Sequence, residues 1–270
     1  MRVHVGCEFV QTAAQAVHTI VQVEPHVDIA ATVISESWDV QTMAISTTYT
    51  DHYDNLCRRL TLPVGTSVLR YDAQVEVPDA VDEFEPMAAE VPPARVPGDA
   101  LVYAMPSRFC PSDELGTFAY QTFGMIEPGW ARVQTICDWV HTNIEFGYGN
   151  TWPTKTAADV LASRQGVCRD FAHLAVTICR SLNIPARYAF GYMPDIGPDA
   201  TGATMDFCAW MEVYLGDRWY TFDPRNNTRR AGRVLIGRGR DALDVAMVTS
   251  FGGLRLDSMT VWADRVDEPT

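Results

Sequence analysis

The sequence predicts an α+β protein, with an all-β first part followed by helices packed on an antiparallel sheet. Three observations carry this expectation. Up to about residue 77, apolar residues partly alternate in short runs separated by turn residues, the pattern of half-buried strands. Between 112 and 182 the apolar spacing changes to three and four, the repeat of helices. From 186 to 223 three strand candidates follow, the last two separated only by Gly216-Asp217.

A chain of 270 residues can bury a sizeable core as one large domain or two ordinary ones. Its 47% hydrophobic and 20% charged residues are those of a folded soluble protein. A net charge of −13 argues against nucleic-acid binding and against a basic membrane-surface patch. The acid excess is spread along the chain and reads as solubility. Seven cysteines, at 7, 57, 110, 137, 168, 179 and 208, show no CxxC spacing, so neither a disulfide scaffold nor a structural zinc site is indicated. Glu8, Gln11 and Gln15 interrupt any apolar leader, and no run is long enough to span a bilayer. The expected compartment is the cytoplasm.

In chain order, 3–9 and 67–77 are the clearest early strands, with breakers at 51–55 and 62–65. Short strands at such intervals predict an antiparallel sandwich or barrel. Between 78 and 99, Pro78, Pro86, Pro92, Pro93 and Pro97 mix with Asp79, Asp82, Glu83, Glu85 and Glu90, which reads as an extended acidic linker. The expected units are therefore 1–95, a β-sandwich-like domain with its linker, and 96–270, the core. Ser112-Asp113-Glu114 has the form of a helix start, leading a segment to about 123. The next helix, 129–143, carries a stripe of Trp130, Val133, Ile136, Cys137 and Val140, with His141 beside it as a structural residue. Thr156 can cap a short helix over 157–163.

The chain turns on Gly166-Val167-Cys168-Arg169-Asp170-Phe171-Ala172. Here a glycine ends one helix and Cys168 opens the next, whose apolar positions run to Leu182 before Asn183-Ile184-Pro185 stops it. A thiol on a first turn feels the positive end of the helix dipole, which favours thiolate. Arg169 adds positive charge if it bends back. After the helix come strands over 186–192, 207–215 and 218–223, with a loop over 194–204 after the first. A Gly-Asp connection suits a type II′ turn. Taking Leu215 opposite Arg218 sets Tyr214 against Trp219, Glu212 against Thr221 and Trp210 against Asp223, so Cys208 and Asp223 become diagonal neighbours about 7 Å apart or less.

Gly-Val-Cys168-Arg-Asp-Phe-Ala, Ile-Pro-Ala-Arg-Tyr-Ala-Phe-Gly-Tyr, Ala-Trp210-Met-Glu-Val-Tyr and Trp-Tyr-Thr-Phe-Asp223-Pro resemble, in order and spacing over 157–226, the bacterial transglutaminase-like superfamily. The first part is similar to the β domain that often precedes this core in bacteria. The resemblance implies a papain-like core, a nucleophile helix on an antiparallel sheet, and acyl transfer from amides to amines or water without a cofactor. It implies Cys168 as nucleophile and Asp223 as the residue that orients a histidine. That histidine belongs immediately before Ala209-Trp210, where this chain has Cys208.

An imidazole there takes the thiol proton and later protonates the leaving amine, a contribution of roughly 10²–10⁴-fold. A cysteine cannot replace it at neutral pH, because its unperturbed pKa is about 8.5 and burial beside Asp223 raises it. Amide cleavage is therefore expected to be slow. His173, about 140° round the helix from Cys168, points elsewhere. His52, in a loop of the first part, is the remaining candidate base. Cys168 and Cys208 can alternatively pair as a redox-sensitive disulfide, or join Asp223 in binding zinc, though a fourth ligand is missing. Trp210, Trp219 and Tyr192 read as core, and Trp152 and Tyr148 as cleft walls. The run Arg225, Arg229, Arg230, Arg233, Arg238 and Arg240 reads as a solvated basic loop, with an anionic subsite as the alternative. Closing strands are expected over 245–251 and 258–266. The expected substrate is a peptide, a protein or a small amide, handled by a weak or atypical thiol enzyme; the alternative is an inactive homologue that binds such a ligand in the same cleft.

Overall fold

A computed structural model describes residues 1–27, 32–40, 46–196 and 205–266. Its first part contains β1 (Arg2–Ala13), β2 (Val17–Val21), β3 (Thr32–Val40), β4 (Thr47–Thr50), β5 (Leu56–Leu62) and β6 (Gly65–Glu76). Period-two patterning shapes β1: Val3, Val5, Cys7 and Phe9 are buried, while His4, Glu8 and Val10 are only partly so. Gly6 breaks the alternation for a steric reason, since a Cβ there would collide with the Trp262 ring and with the Tyr71 carbonyl.

Helices and short strands follow: α1 (Gly98–Leu101), α2 (Gly116–Phe123), α3 (Trp130–Asn143), β7 (Glu145–Phe146), α4 (Ala157–Ser163), β8 (Gln165–Gly166) and α5 (Cys168–Ser181). The second helix starts later than Ser112 promises; Ser112 is buried and its carbonyl accepts from Ser181 Oγ at 2.8 Å instead. Thr156 does cap α4, in a reciprocal box with Asp159. Arg164 at φ 58° and Asn183 at φ 63° take the left-handed turns that end α4 and follow α5.

The remaining strands are β9 (Ala186–Tyr192), β10 (Cys208–Leu215), β11 (Arg218–Phe222), β12 (Val234–Gly239), β13 (Val248–Ser250) and β14 (Leu254–Val266). Of the loop expected over 194–204, residues 197–204 lie outside the described residues. Hairpin β10–β11 has the expected register, Tyr214 on Trp219 and Glu212 on Thr221, with Gly216 at φ 63°. The ladder ends at Met211–Phe222, so Trp210 and Asp223 lie just past it.

Among the described residues, three antiparallel four-stranded sheets result, ordered β14-β1-β6-β3, β13-β2-β5-β4 and β11-β10-β9-β12, beside the short pair β7-β8. The closing strands thus complete the two sheets of the first part and not the sheet of the core. An amphipathic strand needs an apolar face to cover, and β14 finds it along β1, where Val261 and Ala263 join the sandwich interior. The interior is continuous with the core. Ala186, Met211 and Val213 lie in the helical cluster around α5, whereas Tyr188, Phe190, Tyr192 and Ala209 share a cluster with Val3, Val5, Phe9 and Tyr71.

The acidic stretch 78–99 is a strap clamped onto the core. Glu90 binds Arg132 at 3.0 Å and the Gly129 amide at 3.0 Å. Ala88 and Ala89 carbonyls accept from Trp130 and Gly216. Asp82 is held by Arg233. Asp82, Glu83 and Glu90 each serve a specific arginine, a pairing that composition alone does not disclose.

Candidate active site

The cleft lies where the first turn of α5 meets the start of β10. It encloses about 450 Å³ and is lined by Cys168, Cys208, aromatic residues that include Tyr148, Tyr188 and Phe207, and the segment from Val245 to Val248. The loop over 148–152 forms one wall. It is nailed down by Lys155, almost fully buried, whose Nζ donates to the carbonyls of Asn150 (2.7 Å) and Gln165 (2.8 Å). Of the two residues expected as walls, Tyr148 lines the cleft; Trp152 stacks on the Lys155 ammonium instead.

Cys168 is the first residue of α5 and is half-buried. As a thiol it faces the Phe207 carbonyl at 3.7 Å. Ionised, it sits below the ordinary thiol range, chiefly because the Cys208 S–H donates to it. Burial opposes that shift, while the Ala209 amide and Arg225 assist it and Asp206 opposes it. Cys208 is pushed well above its ordinary value by the same hydrogen bond, by burial and by the negative charge of Cys168 and Asp223. The hydrogen bond therefore favours the thiolate on Cys168 and the thiol on Cys208. At the helix start Asp170, fully buried, accepts from the Val167 amide at 3.1 Å and holds the first turn. Arg169 does not bend back to the sulfur: it binds Thr151 Oγ1 (2.8 Å), the Trp152 carbonyl (2.9 Å) and Asp170 (3.1 Å).

Asp223 is close enough to raise the Cys208 pKa, yet its carboxylate is engaged elsewhere. Oδ1 accepts from the amides of Arg225 (3.2 Å) and Asn226 (2.9 Å); Oδ2 accepts from Asn226 Nδ2 (2.8 Å) and the Arg233 guanidinium (3.0 Å). A carboxylate offers about four acceptor sites, and here all are used. Arg233 is buried, bridges Asp223 to Asp82 at 3.0 Å and lies over the Trp210 ring. The zinc alternative fails at this point: among the described residues no three potential ligands gather.

The basic run is likewise mostly paired and not a solvated loop. Arg238 binds Glu212, and Arg240 binds Asp244. Arg225 and Arg230 line the cleft, with Arg225 stacked 4.1 Å over Phe146 and its carbonyl held by His141 Nδ1 at 2.7 Å. His173 is fully buried between Phe109 and Tyr188. Its Nε2 accepts from the Ala242 amide at 3.1 Å, and burial, followed by Arg169 and Arg180, holds it well below the ordinary histidine value. It stays neutral behind the cleft wall. His52 is exposed and does not line the cleft. Trp210 and Tyr192 are buried core residues, and Trp219 packs on Tyr214 and Arg187.

Sequence reasoning missed Tyr188, whose buried ring lines the cleft beside both thiols and whose hydroxyl is pushed well above its usual value by burial. Its signal was present: Tyr188 lies opposite Met211 on β10, on the apolar face of the strand that also bears Phe190. Asp82 carried no such signal, being a carboxylate in a proline-rich stretch.

The family model described as the transglutaminase-like superfamily matches residues 117–224. The crystal structure of a "putative cysteine protease" from Cytophaga hutchinsonii superposes with a TM-score of 0.90 at 30% identity, covering 100% of this chain and 92% of that one. The chain belongs to the transglutaminase-like superfamily. An uncharacterized protein of Mycobacterium leprae is 33% identical over 111 residues, which is 40% of this chain and 39% of that protein. Another, of Mycobacterium tuberculosis, is 29% identical over 143 residues, 50% of this chain and 46% of that protein. The chain thus matches less than half the length of these mycobacterial relatives. The matched segment runs from α2 to the end of β11, so it contains α5, β9 and β10, whose residues line the cleft.

Proposed function

We propose that this protein uses Cys168 as a nucleophile toward the acyl carbonyl of a peptide, protein or small amide, passing the acyl group to an amine or to water. Because Cys208 stands at the histidine position, we propose that turnover of amides is slow. One observation carries the reading: Cys168 opens a helix at the floor of a 450 Å³ cleft, and its ionised form is stabilised by donors from Cys208 and Ala209. Nucleophilic attack needs the thiolate, which these contacts favour. Expelling an amine needs a proton donor matched to neutral pH, which the raised Cys208 thiol is not. Seven unpaired cysteines support a reducing, cytoplasmic setting.

The alternative, an inactive homologue that binds a peptide or amide ligand, is favoured by one feature. Every acceptor site of Asp223 is occupied, as befits a structural cluster more than a partner awaiting an imidazole. Cys208→His separates the two readings. Under the enzymatic reading it raises hydrolysis of a fluorogenic amide panel by roughly tenfold or more. A variant that folds, alkylates rapidly at Cys168 and still hydrolyses nothing favours the binding reading.

A further inference from the structure

We propose that Cys168 and Cys208 form a reversible peroxide-oxidised pair, with Cys168 the thiol that is oxidised first and Cys208 the thiol that resolves it. The inference rests on placement and access and is independent of acyl transfer. Five of the seven cysteines are sealed in the interior: Cys7, Cys57, Cys110, Cys137 and Cys179 are each 0–2% exposed. Only Cys168 and Cys208 are half-exposed, and both open into the same cleft. Cys168 sulfur lies 3.7 Å from the Phe207 carbonyl, against the backbone that leads directly into Cys208. The two thiols also interact with each other directly. A bond between them would join the start of α5 to the start of β10, two elements already packed together.

The two thiols are unequal, and this sets the order of events. The Cys168 thiolate attacks one oxygen of a hydroperoxide, the O–O bond breaks, and the other oxygen leaves as hydroxide or alkoxide. Cys168 is then a sulfenic acid, oxidised by two electrons. The departing base takes the Cys208 proton and leaves as water or alcohol. The Cys208 thiolate attacks the Cys168 sulfur, the S–O bond breaks, and hydroxide departs. That hydroxide takes up the proton that Cys168 released on ionising, so overall two thiols and one hydrogen peroxide give one disulfide and two waters. A small-molecule dithiol returns the pair to its reduced form by exchange. Substituting a cysteine for the histidine thus places a resolving thiol beside a nucleophile, where an imidazole would leave the sulfenic acid to over-oxidise.

The experiment uses the full chain, reduced and freed of reductant, then treated with equimolar hydrogen peroxide and mapped by non-reducing peptide mass spectrometry. The expected result is loss of two of the seven thiols, one Cys168–Cys208 linked peptide lighter by two hydrogens, and full reversal by a dithiol. In Cys208→Ser the same treatment leaves a sulfenic acid on Cys168 that dimedone captures. The proposal is overturned if the wild-type chain keeps both thiols, if Cys168 is over-oxidised while Cys208 stays free, or if the link forms between other cysteines. The wild-type mapping decides the matter even if the variant does not fold.

Discussion

At the thiol corner of the cleft, Cys168 meets a thiol and a backbone amide, carries no full counter-charge in contact and remains open to solvent. At the carboxylate corner, Asp223 is almost fully buried, paired with a guanidinium and saturated with hydrogen bonds. Cys168 is left partly open to solvent, while Asp223 is held in place and joins the strap at Asp82 to the loop after β11 through Arg233. Residue identity alone does not fix what a side chain can do. The number of acceptor sites left free, and the route to solvent, decide it.

The largest expected effect tests the carboxylate corner. Arg233→Met strands Asp82 and Asp223 together in a buried site, and unfolding in urea should show a loss of about 3–5 kcal/mol. A loss under ~1 kcal/mol would erase the distinction between the corners. Asp223→Asn is milder, because Arg233 keeps Asp82, but Nδ2 then faces donors. We expect about 1–3 kcal/mol of destabilisation with iodoacetamide labelling of Cys168 within roughly twofold of wild type. A collapse of labelling would mean that the two corners act as one site.

At the thiol corner, Cys208→Ala removes the principal donor to the thiolate. Labelling of Cys168 at pH 7 should slow by roughly tenfold, the worth of one hydrogen bond to a charged group. Against pH, the wild-type labelling rate should rise with a midpoint below that of an ordinary thiol and fall on acidification as the thiolate takes a proton. A midpoint at or above the ordinary thiol value of about 8.5 would sink the primed-nucleophile reading. The smallest effect is on stability: Cys168→Ala removes a half-buried sulfur and should shift the urea midpoint by no more than about 1 kcal/mol equivalent.

Much of the architecture was legible in local pattern. The helix opened by Cys168 and stopped at Asn183, the Thr156 cap and the Gly216-Asp217 hairpin all follow from residues within a few positions of one another. The strap and the closing strands were not legible in this way. Whether an acidic, proline-rich stretch is solvated or clamped depends on arginines over a hundred residues distant, as Asp82 and Arg233 show. Likewise, a period-two pattern at 254–266 states that a strand has an apolar face, not which sheet will cover it.

The sequence by itself determined that this chain has a helix opened by a cysteine, a second cysteine at the start of a later strand and a carboxylate three strands after the helix, because each is a matter of identity and short-range order. Only the tertiary structure decided what those residues face. It turned Asp223 toward Arg233, left Cys168 and Cys208 open in one cleft, and hid His173 behind its wall. Hydrogen-bond valence and solvent access are set by contacts between distant segments, and they separate a side chain that can react from one that can only hold.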